Sequence, residues 1–64
     1  MIKYKYYVDR VGDVWCVNIE RKTFSLYMKD RHAFNCGTTP INSHDYIYWK
    51  LKEITGPELF LKIL

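Results

Sequence analysis

The stretch IKYKYYVDRVGDVWCVNIERKTFSLYMK, residues 2–29, decides the fold. Six aromatic residues are interleaved with lysines and arginines along it. It is too polar for a core and too aromatic for a plain surface. Period-two alternation resolves the conflict. Ile2, Tyr4, Tyr6 and Val8 alternate with Lys3, Lys5 and Tyr7; Trp15, Val17 and Ile19 alternate with Cys16, Asn18 and Glu20; Phe24, Leu26 and Met28 alternate with Ser25, Tyr27 and Lys29. Short aromatic and β-branched segments with this period read as half-buried strands, here over about 2–8, 14–21 and 23–29.

The turns test the reading. A turn at Arg21–Lys22 sets Ile19 opposite Phe24, Val17 opposite Leu26 and Trp15 opposite Met28. A turn centred on Val11–Gly12 sets Val8 opposite Trp15, Tyr6 opposite Val17 and Tyr4 opposite Ile19. Both place apolar against apolar, and a one-residue slip would break the match. Gly12 can supply a positive φ. Arg-Lys is poor chemistry for a two-residue turn, but an even loop two residues longer keeps the same face parity.

The remaining chain reads as helical. Asp30 can cap a short helix over about 31–36, stopped by Gly37. Asn42 or Ser43 can cap a second over about 44–54, with Asp45 at its N-terminal end and Ile47, Leu51 and Ile54 as its apolar stripe. Pro57 and Glu58 favour a last helix over 57–64, although Leu59, Leu61 and Ile63 also alternate as a strand would. The expected fold is α+β: a three-stranded antiparallel β-meander with C-terminal helices over its Trp15/Val17/Ile19 face.

On this register the outward side carries rows: Lys3, Glu20 and Thr23; Lys5, Asn18 and Ser25; Tyr7, Cys16 and Tyr27; and Asp9, Val14 and Lys29. The Tyr-Cys-Tyr row explains the excess of aromatic residues. It is either good strand chemistry or a contact surface, with Tyr7 and Tyr27 as anchors and Lys3, Lys5 and Lys29 around them. If the strip is only strand chemistry, an interface belongs on the helices, around Tyr46, Tyr48 and Trp49.

Composition bounds the function. The chain has 64 residues, 48% hydrophobic, with a net charge of +3. It reads as one small folded domain. A domain this size buries only about 60% of its unfolded surface, and a substrate cavity of roughly 300 Å³ or more would compete with its core. No catalytic signature is present, so no enzyme and no cofactor are expected. Cys16, His32, Cys36 and His44 are the only soft metal ligands; no C-x-x-C pair joins them, and no metal site is expected. The opening MIKYKYYVDR has no apolar signal region and the longest strongly apolar run is LFL, so a cytoplasmic setting with reduced thiols and no membrane partner is expected. The leading expectation is a small non-enzymatic interaction protein, an inhibitor or regulator of phage or mobile-element type. It would sterically occupy a surface of a larger protein partner such as a host enzyme or defence complex. The alternative is a nucleic-acid-binding module that uses a basic, tyrosine-bearing sheet face.

Overall fold

A computed structural model of the chain describes residues 3–35 and 38–63. The fold is α+β, and its sheet has more than three strands. Three are the expected ones: β1 (Tyr4–Val8), β2 (Val14–Asn18) and β3 (Thr23–Met28). Then come β4 (Ala33–Phe34), β5 (Thr39–Pro40), the helix α1 (Ser43–Tyr48), β6 (Lys52–Ile54) and the helix α2 (Gly56–Ile63). The sheet order is β4-β3-β2-β1-β6, with β5 also pairing β3, and all pairings are antiparallel.

The β2–β3 hairpin keeps the expected faces but slides by two residues. Trp15 pairs with Leu26 and Val17 with Phe24. Arg21–Lys22 alone does not make the turn; residues 19–22 do. Asn18 Oδ1 accepts from the Arg21 N–H at 3.0 Å, and Lys22 takes a φ of 57°. Ile19 therefore leaves the strand and is exposed.

The β1–β2 hairpin slips by one, which turns β1 over. Tyr7 pairs with Trp15 and Lys5 with Val17, while Tyr6 pairs with Cys16 and Val8 with Val14. The cause is Asp9. Its buried Oδ1 accepts the Val11 and Asp13 N–H groups at 3.0 and 2.8 Å. This holds an odd, five-residue loop with Gly12 at φ 93°. Odd loop length reverses face parity.

Helix 31–36 does not form. Residues 29–32 turn instead, with His32 at φ 52°, and Ala33–Phe34 pairs back onto Met28 and Tyr27. Ile2, Cys36, Gly37 and Leu64, which the expected elements include, lie outside the described residues. The helix expected over 44–54 stops at Tyr48. Lys50 takes a φ of 52°, and Lys52–Ile54 leaves as a strand on β1. The stripe Ile47, Leu51, Ile54 therefore does not exist as a stripe: Ile47 is exposed, whereas Ile54 is buried in β6. The Asn42 cap does form, as a capping box with Asp45. The last helix forms as expected, opened by a second box in which Thr55 and Glu58 exchange hydrogen bonds.

The two helices lie on opposite faces, so the expectation that both cover the Trp15 face is corrected. On the α1 face, Trp15, Val17 and Ile41 form the core, with Tyr7, Phe24, Leu26, Tyr46, Trp49 and Leu51 packed around them. Trp15 stacks on Phe24 with ring centroids 4.3 Å apart. On the other face Phe34 packs against Tyr6 and Tyr27, and the Tyr27 hydroxyl donates to the Ile63 carbonyl of α2 at 3.3 Å.

Candidate functional site

The expected strip is not assembled. Tyr7 faces α1, its ring edge-on to Tyr46 at 5.5 Å. Tyr27 is on the opposite face under α2. Lys5 shares the Tyr7 face and pairs with Glu53 at 3.7 Å. Lys3 lies at a polar cleft of about 360 Å³ with Tyr4, Cys16 and Ser25. Lys29 shares a small cavity with Tyr27, His32 and Lys62. The row beside Cys16 is Tyr6-Cys16-Ser25 rather than Tyr-Cys-Tyr.

The thiol and hydroxyls that could carry chemistry are held in their neutral forms. Burial pushes the Cys16 thiol above its ordinary value, against the opposing pull of a hydrogen bond from Tyr6. That is the reverse of the lowered pKa a cysteine nucleophile needs. Burial likewise raises Tyr6, Tyr7 and Tyr46. Among the described residues no group of three His, Cys, Asp or Glu is placed to hold a metal. No described helix is long and apolar enough to cross a membrane.

A different surface is built, on the outer side of α1 and the loop beside it. It begins with Asp9, whose two oxygens organise the loop: Oδ1 accepts the backbone N–H groups given above and Oδ2 accepts the Trp15 indole N–H at 2.9 Å. The Asp9 N–H closes the loop on the Asp13 carbonyl at 3.0 Å. The adjacent Arg10 N–H donates to the Trp49 carbonyl at 2.9 Å. The loop is thus fastened to the core on one side and to the end of α1 on the other.

This fastening places the Arg10 guanidinium over two rings, 4.9 Å from the Tyr48 centroid and 5.5 Å from that of Trp49. Tyr48 and Trp49 meet edge-to-face at 5.0 Å, and His44 stacks on Tyr48 one turn earlier at 6.2 Å. Three large apolar side chains of this loop and helix face water: Val11 is 66% exposed, Ile47 75% and Tyr48 51%. They add nothing to the buried core, which is complete without them.

Sequence reasoning located part of this surface. The aromatic run Tyr46, Tyr48, Trp49 marked the helix as the second place to look. It missed Arg10 and Val11, whose signal was Asp9: an aspartate closing a strand commonly binds backbone N–H groups two and more residues on and fixes the loop after it. No family model, curated protein or solved structure matches this chain.

Proposed function

We propose that the protein is a small non-enzymatic interaction module, an inhibitor or regulator that acts by occupying a surface of a larger protein partner. Its contact surface is the Arg10–Val11 loop tip together with the outer side of α1. The observation that carries the reading is the exposure of Val11, Ile47 and Tyr48 on the loop and helix that hold a guanidinium over Tyr48 and Trp49. Interface energy concentrates in Trp, Tyr and Arg near the centre of a patch. Side chains ordered before binding lose less entropy when a partner arrives.

The test is a comparison of the parent with an Ile47→Ser, Tyr48→Ser double variant in capture experiments from lysate with and without nuclease treatment, followed by titration of the retained partner. The double variant is expected to melt like the parent and to bind more weakly by about 2 kcal/mol or more, roughly 30-fold in Kd. Equal retention by both proteins rejects this surface. Retention that disappears with nuclease, and weakens steeply with salt, supports the nucleic-acid alternative instead.

A further inference from the structure

Resting on the surface proposed above, we infer that the partner presents an acidic peptide segment, with an Asp or Glu beside a large apolar residue, and that Arg10 is the receptor for that carboxylate. Among the described residues, the side chain of Arg10 has rings against it but no hydrogen-bond or ion-pair partner. Among the described residues the one ion pair joins Lys5 and Glu53, and no acceptor meets the guanidinium N–H groups of Arg10. Contacts with ring faces leave the in-plane N–H fork unused, and that fork matches a carboxylate in a bidentate pair. Free arginine side chains lose much rotamer entropy on binding. This one is held at its backbone by Trp49 and at its tip by two rings, so much of that loss has already occurred on folding.

The unused guanidinium fork, not the net charge around it, points to a negative ligand. Asp9 is buried and spent on the loop and on Trp15, and Asp45 is engaged in the capping box of α1. Arg10 and Lys50 are the cationic residues of this loop and helix end, with Asp13 the exposed acid of the loop. The apolar members, Val11 and Ile47, argue for a peptide over a nucleic acid. Aliphatic side chains accept an apolar side chain, whereas strand binding relies on several aromatic platforms and a track of cations along the phosphates.

The experiment is a selection of displayed random peptides on the immobilised full chain, with a fluorescent oligothymidylate as a parallel probe. Selected peptides are expected to share an Asp or Glu close to a large apolar residue. The best one, synthesised, should lose about tenfold or more in affinity when its acid is made the amide. It should lose a similar factor against Arg10→Lys, which keeps the charge without the fork. Against Arg10→Gln, the acid-to-amide change should have no further effect, as a double-mutant cycle requires of a direct pair. Melting curves confirm that each variant is folded, and Arg10→Lys serves if Arg10→Gln does not fold.

The failures separate. Peptides that need Ile47 and Tyr48 but carry no acid, and bind Arg10→Gln like the parent, overturn the carboxylate inference and leave the surface standing. Peptides indifferent to Ile47 and Tyr48 overturn both. Oligothymidylate binding that depends on Arg10 and Tyr48, with no peptide enriched, replaces the acidic peptide with a nucleic acid. Absence of binding by either probe also overturns the inference.

Discussion

Asp9 shows how one side chain sets the fold of a hairpin and the geometry of a surface together. Its carboxylate accepts three hydrogen bonds from the Val11, Asp13 and Trp15 donors, one of them the buried indole N–H. Asp9→Ala leaves that N–H without a partner beneath the loop. An abandoned buried donor costs about 1–3 kcal/mol, and a bond to a charged acceptor contributes about 1.5–3. The expected loss is about 2–4 kcal/mol in urea denaturation, a large share of the stability of a domain this size. Asp9→Asn, which keeps one acceptor oxygen, should lose about half as much. Trp15→Ala, which removes the centre of the core, should cost about 3–5 kcal/mol. If Asp9→Ala unfolds at the parent's urea midpoint, the carboxylate does not organise the loop, and the preordering of Arg10 loses its basis.

At the scale of elements, the turns carry strain that sequence alone does not display. Lys22, His32 and Lys50 all adopt left-handed backbone, where a side chain costs about 1–2 kcal/mol. Lys22 is tied there by its N–H to the Asn18 carbonyl at 2.8 Å, closing the four-residue loop. Lys22→Gly relieves the strain but gives the unfolded chain more freedom, which offsets part of the gain. A net stabilisation of about 0.5–1 kcal/mol is expected, read from urea midpoints. A destabilised Lys22→Gly would mean that the lysine side chain contributes contacts outweighing its backbone. The same elements explain what could be read in advance. The faces of β2 and β3 were legible because only one parity puts Trp15, Val17, Phe24 and Leu26 together. β1 was not, because Tyr6 and Tyr7 are chemically equivalent and adjacent, so its alternation supports either face. The decision lay in the odd loop made by Asp9. HAFNC failed as a helix because a turn at 29–32 let Ala33–Phe34 complete the edge of β3. The helix at 44–54 was cut short because Lys52–Ile54 gains a strand partner in β1. Both gains are tertiary and leave no local mark.

At the scale of the whole molecule, the sheet is clad on both sides, and each side half-buries hydroxyls or a thiol. Tyr7 and Tyr46 lie on the α1 side, while Tyr6 and Cys16 lie on the other. Burial raises all four above their ordinary values, 10.0 for the tyrosines and 9.0 for the cysteine. The folded state therefore keeps these protons to higher pH than the unfolded state does. The stabilisation is complete below the unfolded values and is lost as pH rises through the folded ones. For these groups the melting temperature should hold level between about pH 6 and 8 and fall once pH passes about 9, Cys16 first and the tyrosines after it. The decisive comparison is with variants. Tyr6→Phe removes one titrating hydroxyl and the hydrogen bond it gives to Cys16, and Tyr46→Phe removes the one given to Tyr7. Each should start less stable at pH 7 and decline less steeply between pH 9 and 11, so that its melting curve converges on the parent's. Parallel declines in parent and variants would mean that these groups ionise alike in both states, and that the layers over the sheet admit water freely.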